Sequence, residues 1–124
     1  MKKYLVFFLE RRNLKKQIIQ VILIFYGLVF MIHTLGCFWY ASSKADFYGT
    51  IDWIRYNNME DTSMSTKYIT SLYWATVTST TVGYGDILPT NNYELAYTIF
   101  VIVIGVAVFS FVISDLSSQF ISLI

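Results

Sequence analysis

The run from Ile18 to Tyr40 (IIQVILIFYGLVFMIHTLGCFWY) carries no acidic or basic residue apart from the single His33. As a helix rising about 1.5 Å per residue it reaches roughly 34 Å, enough to cross a hydrocarbon core of about 30 Å. A second apolar run, Leu95 to Ile113, is also uncharged. If its helix continues to Ile124 it outruns the bilayer, and the polar stretch Ser114-Asp115-Leu116-Ser117-Ser118-Gln119 suits last turns that project into water. Charged residues make up only 14% of the 124 and hydrophobic ones 56%. A soluble domain carries about a quarter charged residues. The composition therefore points to a multi-pass, all-α membrane protein.

Basic residues set the expected orientation. Lys2, Lys3, Arg11, Arg12, Lys15 and Lys16 all precede the first span, which puts the N-terminus in the cytoplasm. The connection 41–66 mixes both signs (Lys44, Asp46, Asp52, Arg55, Glu60, Asp61) and is expected outside, with the plasma membrane as the host bilayer. Trp39 and Tyr40 close the first span while Tyr93 and Tyr97 open the second, where an outer aromatic belt belongs.

Between the spans, Tyr68 to Val77 (YITSLYWATV) is apolar and helix-compatible but too short to cross. It runs into a Thr/Gly-rich stretch and then Pro89. A short apolar helix followed by irregular backbone at membrane depth is a re-entrant loop, tolerated only when buried in protein or lining a watery path. Two spans cannot enclose such a path alone, so the module requires an oligomer.

The loop itself reads Thr80-Thr81-Val82-Gly83-Tyr84-Gly85-Asp86. Glycine enters the left-handed backbone region at little cost. Gly83 and Gly85, one residue apart, thus permit the alternation of left- and right-handed residues that aims successive carbonyl oxygens at one axis. Such a column of oxygens can replace the water around a cation, with the Thr81 hydroxyl adding one more oxygen at the inner end. Val82 and Tyr84 would then point away and brace the wall. No catalytic constellation, metal-ligand cluster, nucleotide loop or nucleic-acid-binding surface is evident, so an enzyme is not expected. Cys37 is the one cysteine and has no internal disulfide partner.

The outer run, the short helix, the TVGYGD loop and the inner run together resemble the potassium channel pore family, most specifically over TSLYWATVTSTTVGYGDILP. TVGYG is the very loop by which potassium filters are described, so the ion assignment is carried over from the family. The resemblance implies a homotetramer, or a heterotetramer with related subunits, in the lipid bilayer. It implies potassium at Thr81, Val82, Gly83 and Tyr84, and no cofactor beyond that permeant ion. Gly83, Gly85 and Asp86 would set the filter's geometry. Trp74 resembles the tryptophan that hydrogen-bonds the filter tyrosine, here Tyr84, and Tyr73 stands within range of Asp86; interface packing is the other reading of both. Val77 stands where some relatives have a glutamate behind the filter. Gly105 matches a hinge position, or else a close helix contact, and Phe109 and Ile113 follow it at four-residue steps as a candidate gate or as lipid-facing packing.

The stretch HTLGCFWY (33–40) resembles the branch that bears cyclic-nucleotide-binding domains and includes ether-à-go-go and plant inward-rectifier channels, although Tyr84 and Asp86 depart from the ether-à-go-go filter. Cyclic nucleotide would act only through a domain absent from this chain. The expected divisions are a cytoplasmic linker (1–17), which resembles the end of a voltage sensor, and a pore domain (18–124). The pore domain comprises an outer helix (18–40), an extracellular loop (41–66), a pore helix (67–78), a filter (79–86) and an inner helix (93–124). A fragment of a larger gated channel is the leading reading; a weakly selective cation channel and a non-conducting regulatory subunit stay open beside it.

Overall fold

The computed structural model describes residues 1–44 and 49–124; Asp46, one of the loop charges named above, lies outside the described residues. Among the described residues four helices follow in order, α1 (Lys2–Ser42), α2 (Trp53–Tyr56), α3 (Met64–Ser79) and α4 (Asn92–Leu123). Among the described residues there is no strand. α1 and α4 are long and apolar enough to cross a membrane.

The first helix differs from the expected division at residue 17. The single proline of the chain is Pro89, so no proline between Lys2 and Ser42 interrupts the backbone ladder, and the basic stretch Arg11–Lys16 is made of good helix formers apart from Asn13. The linker and the outer helix are therefore one helix of 41 residues, about 60 Å long at 1.5 Å per residue. Part of it must leave the hydrocarbon.

The loop 41–66 holds a helix that periodicity did not announce. Asp52 caps α2, its Oδ1 accepting from the backbone N–H of Ile54 at 2.9 Å and of Arg55 at 3.0 Å. Ser63 caps α3 by accepting from Thr66 N, which starts that helix three residues before the expected division at residue 67. Asn91 caps α4 through Glu94 N at 3.0 Å.

α3 lies against both long helices, and glycines set the two crossings. A Cβ at Gly36 of α1 would stand 3.2 Å from the Ser71 carbonyl oxygen and from Leu72 Cδ2 of α3. At Gly105 of α4 it would stand 2.7 Å from Ser79 Cα and O, a distance at which backbone has to move. His33 adds a polar link, its Nδ1 lying 2.6 Å from the Tyr68 hydroxyl of α3.

The core sits at one end, where α1, α2, α3 and α4 meet. It comprises Leu35, Trp39, Trp53, Ile54, Trp74, Ala75 and Val101. Trp39 is its centre: it stacks on Trp74 with ring centroids 3.7 Å apart and on Trp53 at 5.7 Å. Trp53 Nε1 donates to the Trp39 carbonyl, and Tyr97 OH to the Leu35 carbonyl. Aromatic pairs of this kind contribute about 0.5–1.5 kcal/mol each beyond area burial. Elsewhere the apolar side chains of α1 and α4 are mostly exposed within one chain. So much uncovered apolar surface marks contact with lipid or with other protein.

Candidate functional site

The C-terminus of α3 and the loop after it form one continuous device. Thr80 follows the last helical residue, and Thr81 adopts a left-handed backbone at φ +64°. Thr81 N donates to the Thr78 carbonyl at 3.2 Å and Val82 N to the Val77 carbonyl at 3.0 Å. That pair of bonds is a Schellman motif, which ordinarily places glycine where Thr81 stands. Gly83 N adds a second donor to the Val77 carbonyl at 3.1 Å. The helix end is thus closed by the very residues that begin the loop.

Beyond Thr81 the alternation continues, with Gly83 at φ +58° and Gly85 at φ +74°. Three left-handed residues therefore alternate with Val82 and Tyr84. The two glycines were readable from their spacing; Thr81 was not, because a β-branched residue is a poor candidate for that region. Its strain, of order 1–2 kcal/mol, is held by the cap bonds on either side. Val82 and Tyr84 are 52% and 72% exposed within one chain, so both side chains stand clear of the subunit that carries them.

Asp86 ends the run and is tied back to α3. The Tyr73 hydroxyl donates to its Oδ2 at 2.6 Å, and Ile87 N donates to its Oδ1 at 3.1 Å. The tyrosine hydrogen bond holds the Asp86 carboxyl below its ordinary value of 3.8. Trp74 is 3% exposed and packed against Trp39 and Tyr97, and no hydrogen bond joins it to Tyr84 inside one chain. A cavity of about 380 Å³ opens behind the loop, walled by Trp74, Val77, Thr81, Gly83, Thr98 and Ile102.

Sequence reasoning missed Glu94. It is fully buried, and its carboxylate accepts from Trp53 N at 3.0 Å and Thr90 N at 2.8 Å, with the Thr90 hydroxyl 3.0 Å away. The Thr90 hydroxyl also lies 2.8 Å from the Ile51 carbonyl. Glu94 thereby ties the segment containing α2 to the start of α4. The signal was present as Asn91-x-x-Glu94, the spacing of a capping box, but here the glutamate reaches past the cap to other donors.

On α4 the residues chosen for a gate do not share one environment. Gly105 is buried against Ser79 of α3, whereas Phe109 and Ile113 are exposed within one chain. Four-residue steps rotate about 40° each on a helix, so a line begun at the α3 contact drifts away from it.

Residues 43–122 match the family described as Ion channel. Among known proteins the chain is 32% identical over 92 residues to potassium channel AKT1 of Arabidopsis thaliana, which covers 73% of this chain and 11% of that protein. It is 33% identical to potassium channel KAT2 of the same plant, covering 73% and 13%. To cyclic nucleotide-gated channel alpha-2 of Bos taurus it is 36% identical over 100 residues, covering 78% and 15%. The chain thus spans well under a quarter of the length of these relatives. The helices that cross the membrane, the re-entrant α3 between them and the matched span from 43 to 122 place the chain in the ion channel family, as a membrane-embedded, non-enzymatic pore module of the branch that holds plant potassium channels and cyclic nucleotide-gated channels.

Proposed function

We propose that the chain forms a potassium-selective pore, four copies around one axis, that conducts passively through the carbonyls of residues 81–84. The observation that carries this reading is the left-handed backbone at Thr81, Gly83 and Gly85 in alternation with Val82 and Tyr84. Alternating handedness turns consecutive carbonyls to one side. Four such strands facing one another give rings of oxygens that can stand in for the hydration shell of potassium. The C-terminal end of α3 carries the partial negative charge of its helix dipole, which favours a cation near the loop it feeds. Tyr73 braces Asp86. Trp74 and Tyr73 are the proposed supports of the filter, Trp74 toward Tyr84.

The membrane-depth loop requires the oligomer, and the N-terminal end of α1, rich in Lys and Arg, belongs at the cytoplasmic face of the plasma membrane. Control by voltage or by a cyclic nucleotide would come from parts of a larger channel beyond this segment. Gly105, Phe109 and Ile113 are the proposed moving part of the inner helix, Gly105 through its contact with α3.

A weakly selective cation pore is the other reading. Purified chain in liposomes tests both. Potassium efflux that barium blocks, with little sodium flux, supports the proposal. Equal potassium and sodium fluxes establish the weakly selective pore, and tetramers without flux establish a silent subunit.

A further inference from the structure

At the end of α1 that carries Trp39 and Tyr40, we infer a binding site for one soft, monovalent metal ion, Cu(I), held between Cys37 Sγ and His33 Nε2. His33 and Cys37 stand four residues apart on one face of α1, and both are exposed within one chain. Sγ lies 3.7 Å from Nε2 and 4.0 Å from Nδ1. The Tyr68 hydroxyl of α3 is 2.6 Å from Nδ1, and the two rings meet edge to face with centroids 5.7 Å apart. Tyr68 thus engages one ring nitrogen from a second helix and leaves Nε2 as the one an ion can reach.

The donors and their surroundings decide the ion. Thiolate sulfur is the ligand that soft ions such as Cu(I) select, and imidazole suits copper as well. One ion bonded at about 2.3 Å to sulfur and about 2.0 Å to nitrogen fits between atoms 3.7 Å apart, the bonds meeting at about 120°. Among the described residues no third His, Cys, Asp or Glu joins the pair. Zinc, which takes three or four protein ligands, is poorly served by two. Charge points the same way. The pair lies inside the apolar run 18–40, where an uncompensated charge is costly. A divalent ion on one thiolate and one neutral imidazole stays positive, whereas Cu(I) on the same two donors is neutral.

Binding exchanges a proton for the ion. The thiol S–H bond breaks, the Cu–S bond forms, and the proton leaves to water past Tyr40, three residues on. The ion enters as Cu(I), so no electron moves. Nε2 binds through its lone pair, which requires the ring proton on Nδ1, and the Tyr68 oxygen is placed to accept it. A partner on the far nitrogen is what holds a ligating histidine in its tautomer. The site rests on the chain being embedded in a membrane and is independent of which ion passes the loop 81–84.

Titration of the reduced, detergent-purified chain with Cu(I), against a chromogenic Cu(I) chelator, tests the site. One ion per chain is expected, lost in Cys37→Ser. Tyr68→Phe keeps both ligands and should weaken binding about 10-fold, with His33→Leu weaker still. X-ray absorption at the copper edge of the unaltered chain should show one sulfur and one nitrogen neighbour, a readout that needs no variant to fold. Undiminished binding by Cys37→Ser, unchanged affinity in both His33→Leu and Tyr68→Phe, or a copper edge with sulfur neighbours alone overturns the proposal. So does tighter retention of Zn2+ than of Cu(I). Potassium flux is read separately, so a failed metal site and a failed pore give different results.

Discussion

At Gly83 the backbone sits at φ +58°, and nothing lies within 4 Å of where a Cβ would be. The position has room for a side chain but not the backbone freedom. Gly83→Ala is expected to cost about 1–2 kcal/mol of local strain and to turn one carbonyl away from its neighbours. Selective potassium flux should be lost while the oligomer survives, as gel filtration beside a flux assay would show; a normally selective variant would remove the filter assignment. Asp86 gives a second test at this scale. Its folded carboxyl lies below the ordinary value, so its bond to Tyr73 contributes at any pH above that value and is lost as pH falls through the lower, folded one. Tyr73→Phe removes the donor and should move the acid limb of the flux profile upward toward pH 3.8; superimposable profiles would show that the bond does not hold the loop.

Two elements are joined by contacts whose removal has a calculable direction. Gly105→Ala drives a methyl into Ser79, and overpacking of this kind costs about 1–3 kcal/mol. Gly27→Ala on α1 meets nothing within 4 Å and should gain up to about 1 kcal/mol from helix propensity. Thermal melts of the two variants in detergent should therefore move in opposite directions; parallel shifts would show that the α3–α4 approach is looser than the geometry states. Glu94→Ala strips the acceptor from two backbone donors, Trp53 N and Thr90 N, at about 1–3 kcal/mol each. Its melting temperature should fall well below wild type, with Glu94→Gln between the two, and an unchanged melt would mean water replaces the carboxylate. These contacts also mark what the sequence hid. Gly105 could be read as hinge or packing, because propensity says only that a helical glycine needs a reason, and the partner Ser79 is distant along the chain. Glu94 draws no reading from the sequence, since one of its donors, Trp53 N, comes from a connection whose fold no periodicity reports.

For the molecule as a whole, the spans, the re-entrant segment and the glycine spacing were legible, because hydrophobicity over long windows and the conformational licence of glycine are local properties. The division at residue 17 was not, since a change from apolar to basic residues alters where a helix may sit in a bilayer without ending it. The left-handed Thr81 was hidden for a related reason: a cap made by bonds to Val77 and Thr78 overrides the preference of its own residue. On the proposed reading conduction is a property of four copies, and one copy carries only the uncovered surface at Val82, Tyr84 and the apolar faces of α1 and α4. The most direct test is the reversal potential of the purified chain in a planar bilayer, with potassium varied on one side and sodium held in its place. A potassium-selective pore predicts a shift approaching 59 mV for each tenfold change in potassium, and a reversal potential that stays near zero would contradict it.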